Sequence, residues 1–179
     1  AKILAVEIQE RLADMAERSI ELNDLTQQMQ VIQDDLKNLG RYITGSKVDM
    51  ILCNPPYFKV DKQSNLNESQ HYLLARHEIS TNLEEICKIA QRVLKSNGRL
   101  AMVHRPERFL DILDTMQAHN LAPKRIQFVY PKLGKEANML LIEAIKDGSR
   151  DGLKILPPLF IHNQDGSYTP EIHEIYYGK

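Results

Sequence analysis

Apolar residues run along this chain in two alternating rhythms. Ile3, Leu4, Ala5, Val6 and Ile8 form a near-continuous run, the pattern of a strand buried on both faces, and Glu7 interrupts it near its end. In the next segment, ERLADMAERSIELN, residues Leu12, Met15, Ala16, Ser19 and Ile20 fall on one helical stripe. MQVIQDDL reads as a short strand ending in two aspartates, and VDMILC as another buried strand. Residues 58–78 are polar without a period and read as a mobile surface loop. TNLEEICKIAQRVLKSNG predicts a helix over 81–98, with a capping box from Thr81 to Glu84 and a stop at Asn97-Gly98. RLAMVH predicts a strand, after which Pro106 opens a helix that turns Phe109, Ile112, Leu113 and Met116 inward. RIQFVY and NMLLIEAI are strands with no helical pattern between them, so they are expected to pair antiparallel. NQDGS predicts a hairpin turn between LFIH and YTPEI.

Strands alternating with helices imply an α/β fold with a mainly parallel sheet. Ligands of such folds lie beyond the carboxyl ends of the strands. The polar residues that break the apolar runs sit at those ends: Glu7, the Asp34-Asp35 pair and Asn54. A carboxylate at Glu7 suits the two vicinal hydroxyls of a ribose, and an aspartate suits an adenine amine. Each residue alone is equally a solvated strand end or a turn cap. Together they fit a nucleoside site.

LCNPPYF, residues 52–58, is of another kind. Pro55 and Pro56 donate no backbone hydrogen bond, so the strand must end there in a rigid tip. An ordinary turn does not need Asn-Pro-Pro-aromatic. Methylation of a planar amine does: the lone pair must leave conjugation, and two acceptors on the amine protons favour that geometry and the positive charge that develops on nitrogen. Asn54 offers a side-chain carbonyl, Pro55 a backbone carbonyl, and Tyr57 a face for a planar group to stack on.

Composition narrows the classes. The chain has 179 residues, 42% hydrophobic and 26% charged, which reads as one domain over 1–179 with 151–179 as a C-terminal tail packing on it. A net charge of −1 provides no global basic field. A nucleic-acid partner would be held by local clusters, for which Lys59, Lys62, Arg76, Arg105, Arg108, Lys132 and Lys135 are candidates against a reading as ordinary surface charge. His77 is a substrate contact or a helix-start residue on equal terms. Cys53 and Cys87 lie in core patterns and read as reduced thiols of a cytoplasmic protein. No apolar run approaches membrane-spanning length, and the six histidines fall in no metal-ligand spacing, so neither membrane nor metal is expected. LPPL at Leu156 reads as an edge segment, and Tyr176-Tyr177 as packing for the tail.

The stretches AVEIQ, VIQDDL, DMILCNPPYF, HYLLARHE, VLKSNGRLAMVHRPER, PKRIQFVYPKLGKEANMLLIEAIKDG and LKILPPLF are spread along nearly the whole chain, from Ala5 to Phe160. In them it resembles the class I S-adenosylmethionine-dependent methyltransferases that carry an NPPY motif, in particular the tRNA(Val) adenine-N6 branch of the bacterial methyltransferase small domain family. The resemblance implies a Rossmann-like sheet of order 3-2-1-4-5-7-6 with an antiparallel last pair, S-adenosylmethionine as cofactor and tRNA as substrate. It implies Glu7 on the ribose hydroxyls, Asp35 with the Leu36 amide on the adenine, Asp34 as the alternative acid, and Asn54 also against the cofactor. Asn54, Pro55, Pro56 and Tyr57 would form the catalytic clamp. The family's first strand and glycine-rich loop would precede Ala1, so the natural protein is expected to be longer. Two other readings remain open: a glutamine-N5-methyltransferase acting on a protein such as a release factor, since a side-chain amide needs the same clamp, and a non-catalytic RNA-binding module on a methyltransferase scaffold.

Overall fold

The computed structural model describes residues 1–43, 48–55 and 83–178. The expected loop at 58–78, the Thr81 cap and the candidate residues Pro56, Tyr57, Lys59, Lys62, Arg76 and His77 lie outside them. The chain divides into two compact units, Ala1–Lys47 and Val48–Lys179.

The first unit is a parallel strand pair bridged by a helix: β1 (Ile3–Glu7), α1 (Glu10–Leu22) and β2 (Met29–Gln33), followed by a 3-10 helix (Leu36–Arg41). The register runs from Ile3 opposite Met29 to Glu7 opposite Gln33. The inward side of α1 is Ala13 and Ile20, with Ala16 half-buried, so Ala16 and Ile20 of the predicted stripe turn inward and the rest of it does not. Leu12 and Met15 are exposed, and so is Ser19, whose hydroxyl returns to the Met15 carbonyl at 2.8 Å. The small alanines let the helix settle onto a sheet that is two strands wide among the described residues, too narrow to cover the flanking positions. For the same reason β1 is half-buried, with Ile3 exposed, instead of buried on both faces.

The second unit holds β3 (Val48–Cys53), α2 (Leu83–Val93), β4 (Leu94–His104), a 3-10 turn (Pro106–Arg108) and α3 (Phe109–Ala118). It continues with β5 (Leu121–Lys132), β6 (Met139–Lys146), β7 (Lys154–Ile155), β8 (Leu159–His162) and α4 (Pro170–Tyr177). The strand order is β3-β4-β6-β5-β7, and β8 also pairs with β5. β3 is parallel to β4, β6 is antiparallel to both β4 and β5, and β7 and β8 are parallel to β5. The antiparallel β5–β6 pair is the expected one, and the path β3-β4-β6-β5 is the 4-5-7-6 part of the expected order.

One face of this sheet is dry. Leu100 and Met102 of β4, Ile126 of β5 and Leu140, Ile142 and Ala144 of β6 are buried beneath Ile86, Cys87 and Ala90 of α2 and Ile112 and Met116 of α3. Phe109 meets Phe128 edge-on at 5.6 Å. At the end of the alternating buried positions of β6 comes Lys146, whose ammonium takes the carbonyls of Gln91 and, at 3.0 Å, Leu94. It thus satisfies carbonyls at the C-terminus of α2, where a cation is also favoured by the helix dipole. This long-range cap ends the helix at Val93, five residues before the predicted stop. Asn97-Gly98 instead turns an irregular stretch of β4, with Asn97 at φ 64° and register jumping from Val48–Leu94 to Met50–Arg99. A Cβ on Gly98 would meet the Lys95 carbonyl oxygen at 2.8 Å, so the turn needs glycine.

β3 has a single strand neighbour among the described residues, and Leu52 is 77% exposed. Its apolar pattern therefore does not make it a buried strand here. The C-terminal segment also departs from expectation. NQDGS makes the expected turn, with the Asn163 amide donating to the Ser167 carbonyl at 2.8 Å and His162 bridging Tyr168 antiparallel, but the second arm stops there: Thr169 accepts from the Ile172 amide and Pro170 takes the first helical position, so a helix begins where the strand was expected to continue. Ile172 anchors α4 against Val129 and Leu159, with Met139, Leu141 and Ile161 packed around them. Tyr176 and Tyr177 do not pack the tail; both are exposed.

Candidate functional site

In the first unit β1 and β2 run parallel, so Glu7, Asp34, Asp35 and Leu36 come together at one end. Glu7 Oε1 accepts from the Gln9 amide at 2.9 Å, which orients the carboxylate at the mouth of the β1–α1 turn. The Asp34 amide donates to the Glu7 carbonyl at 3.1 Å and continues the pairing one residue beyond β2. The two aspartates then differ. Asp34 accepts from the Asp35 amide at 2.7 Å, from Asn38 at 2.8 Å and from the Tyr42 hydroxyl at 2.6 Å. The Tyr42 bond, then the Asn38 bond, holds its carboxyl below the usual range, and the same bond raises Tyr42. Asp34 thus ties the turn to the 3-10 helix. Asp35 caps that helix by accepting from the Lys37 amide at 2.9 Å. Its other oxygen has no partner among the described residues, and the Leu36 amide, at the first helical position, has no acceptor inside the helix.

In the second unit β3, β4, β5 and β8 all point the same way, so their carboxyl ends form one rim. Along it stand Asn54 and Pro55, then His104 and Arg105, then Lys132, then His162. Asn54 is exposed and Pro55 buried. On the sheet face opposite α2 and α3, a depression of about 510 Å³ lined by Leu52, Val103, Gln127, Leu141 and Leu156 opens beside Asn54. Cys53 adjoins the tip, but burial pushes its thiol up to about 11; burial likewise pushes Cys87 up to about 12. Both thiols stay protonated at neutral pH and are poor nucleophiles. Of the candidate cations in this unit, Arg108 is paired with Asp111 at 2.6 Å, and Arg105 reaches the Asn138 carbonyl at 3.4 Å. Lys132 and Lys135 line a separate groove.

His104, at the end of β4, belongs to no sequence motif. It is buried, and its Nδ1 accepts from the Arg105 amide at 2.8 Å, the state of a neutral ring. Burial first, and the Arg108 guanidinium second, hold its pKa below the ordinary 6.5. Protonation would set a donor against the Arg105 N–H. Because the folded-state pKa is depressed, the unfolded chain takes the proton first as pH falls. Stability from this group is complete above pH 6.5 and lost as pH falls through the folded value. The melting temperature is expected to drop from neutral pH toward pH 5 (roughly a unit or more below the His reference). His104→Asn, which keeps an acceptor near Nδ1 and cannot titrate, should flatten that drop; an unchanged profile would assign it to other groups.

The fold is that of a Rossmann-like methyltransferase. A predicted O-methyltransferase from Agrobacterium tumefaciens matches it with a TM-score of 0.75 at 22% identity, over 99% of this chain and 78% of that one. TrmN from Thermus thermophilus matches with a TM-score of 0.53 at 16% identity, over 81% of this chain and 36% of that one. Two sequence relatives narrow the comparison, both called tRNA1(Val) (adenine(37)-N6)-methyltransferase. The protein of Porphyromonas gingivalis strain W83 is 26% identical over 174 residues, 96% of this chain and 67% of that protein. The protein of Bacteroides fragilis strain YCH46 is 26% identical over 183 residues, 98% of this chain and 73% of that protein. This chain therefore spans about two thirds to three quarters of the length of these relatives. No protein-family model matches it.

Proposed function

We propose that this protein is an S-adenosylmethionine-dependent N-methyltransferase that modifies N6 of an adenine in tRNA. The observation that carries the reading is the place of Asn54 and Pro55, at the carboxyl end of a parallel strand in a methyltransferase fold. Relatives with that named activity, aligned over nearly the whole chain, supply the substrate class.

The Asn54 side-chain carbonyl and the Pro55 backbone carbonyl accept the two amine protons of the adenine. This bends the amine out of conjugation and stabilises the positive charge that grows on nitrogen. The methylated nitrogen is acidic and loses its proton afterwards, so no histidine or thiolate has to act as base beforehand. Tyr57 provides the face on which the extruded base stacks, which offsets the cost of taking it out of its own stack.

S-adenosylmethionine, when bound, supplies an electrophilic methyl group on a sulfonium. The acceptors and donors of the first unit fit its nucleoside part. Glu7, oriented by the Gln9 amide, accepts from the ribose hydroxyls. Asp35 and the Leu36 amide offer one acceptor and one donor to the adenine edge, whereas Asp34 is committed to Asn38 and Tyr42. The compartment in this reading is the cytoplasm, in keeping with the two free thiols Cys53 and Cys87.

The test is transfer of labelled methyl from S-adenosylmethionine to bulk tRNA, followed by nucleoside analysis. N6-methyladenosine is the expected product. Methylation of a release-factor glutamine without any N6-methyladenosine would replace this reading with the glutamine enzyme, and binding of tRNA without methyl transfer to either would replace it with the non-catalytic module.

A further inference from the structure

Away from Asn54, the carboxyl rim of the six-stranded sheet ends in a groove of about 760 Å³ between two turns. The β5–β6 turn contributes Lys132, Lys135 and Glu136, and β8 with its following turn contributes His162 and Gly166. Gly134 at φ 82° and Gly166 at φ 89° shape the two turns, and Gln164 ties them by donating to the Leu133 carbonyl at 3.3 Å. The Lys135 amide donates to the Lys132 carbonyl at 3.2 Å, so both cations rise from one short turn. Neither ammonium is paired with an acid among the described residues, and together they outweigh Glu136. His162 Nδ1 is buried with no hydrogen-bond partner.

A run of rings continues from the groove. His162 stacks on Tyr168 at 5.2 Å and 14°, Tyr168 meets Tyr176 at 5.6 Å, Tyr176 meets Tyr177 at 6.2 Å, and Tyr177 meets His173 at 4.8 Å. Tyr168 is 43% exposed, Tyr176 65% and Tyr177 67%. A packing role would bury these rings; here α4 is held by Ile172 and its tyrosines face water. Unpaired lysines beside exposed, sequence-tolerant π-faces match the chemistry of a single nucleic-acid strand, with cations for phosphates and rings for bases.

We propose that this groove and its tyrosines hold an unpaired stretch of the RNA that flanks the target adenine, with Lys132 and Lys135 on phosphates and Tyr168 and Tyr176 stacked on bases. The proposal rests on the RNA reading above and adds a second point of contact to it. Four inter-strand steps, β3 to β4 to β6 to β5 to β8, separate it from Asn54, or about 19 Å at the usual strand spacing. The groove therefore meets flanking nucleotides rather than the methylated one.

The experiment uses the full chain with two readouts: fluorescence anisotropy with a short labelled single-stranded RNA, and steady-state methylation of bulk tRNA. Lys132→Ala with Lys135→Ala is expected to weaken RNA binding roughly ten-fold at moderate salt and to lower the salt slope by about 0.7 per lysine. Tyr176→Ala is expected to weaken binding by about five-fold or more with the slope unchanged, and Tyr176→Phe to restore it. In both cases KM for tRNA should rise while kcat stays. Wild-type RNA affinity in both variants overturns the groove proposal, and the RNA reading survives if wild type still makes N6-methyladenosine. RNA affinity that falls in the variants, while wild type methylates no RNA, supports the groove and overturns the methylation reading. Loss of affinity for a methylated protein substrate, with RNA binding unaffected, overturns RNA as the occupant.

Discussion

Asn54→Ala is expected to lower the turnover of methyl transfer by about 10²–10³, the usual cost of removing one preorganised hydrogen bond to a charge that develops in the transition state. The side chain is exposed at the end of β3, whereas its neighbour Pro55 is buried and keeps the tip of the strand in place. The substitution should therefore leave the fold intact. Cofactor affinity should change little, because the bond strengthens as nitrogen becomes positive and is weak in the ground state. A companion pair at Tyr57 separates the two jobs of the clamp: Tyr57→Ala should raise KM for RNA as well as lower turnover, and Tyr57→Phe should be nearly silent, since the ring face is what stacks. Single-turnover kinetics with labelled S-adenosylmethionine give the numbers. Full activity in Asn54→Ala on either RNA or protein substrate would sink the acceptor clamp whatever the substrate.

Glu7→Ala is expected to weaken S-adenosylmethionine binding by roughly ten- to a hundred-fold, since hydrogen bonds to a charged group contribute about 1.5–3 kcal/mol. Glu7→Gln keeps an oxygen for the Gln9 amide and loses the charge, so it should fall between wild type and alanine. By contrast, Asp34→Ala should act mainly on stability, because its carboxylate holds Asp35, Asn38 and Tyr42 around the turn. Titration calorimetry with the cofactor on the full chain decides: an alanine variant that binds as tightly as wild type removes Glu7 from the site.

What was legible in the linear chain was what local rules govern. Period and length distinguished strands from helices, and the absence of a helical stretch between RIQFVY and NMLLIEAI was enough to make β5 and β6 an antiparallel pair. The acids and the amide of the candidate site were visible because each interrupts an apolar run at its carboxyl end, where an α/β fold exposes side chains. The NQDGS turn is a local signal of the same kind, and so is the helix start at Thr169-Pro170 directly after it, which cuts the second arm short.

The rest depends on partners distant in sequence. Burial of an apolar strand is a property of its neighbours, so among the described residues VDMILC leaves Leu52 exposed where β3 has one partner strand, and Leu12 and Met15 stay exposed on α1 over a sheet two strands wide. The end of α2 was set by the Lys146 ammonium, which arrives from β6 to take its last carbonyls. Asp34 and Asp35 are the same residue type at adjacent positions. Only the fold, by bringing Asn38 and Tyr42 round to Asp34, makes one a structural tie and leaves the other with an oxygen for a ligand. Likewise Lys132, His162 and Tyr176 lie far apart along the chain, and they became a single surface because β8 runs parallel to β5 and α4 folds back beside it.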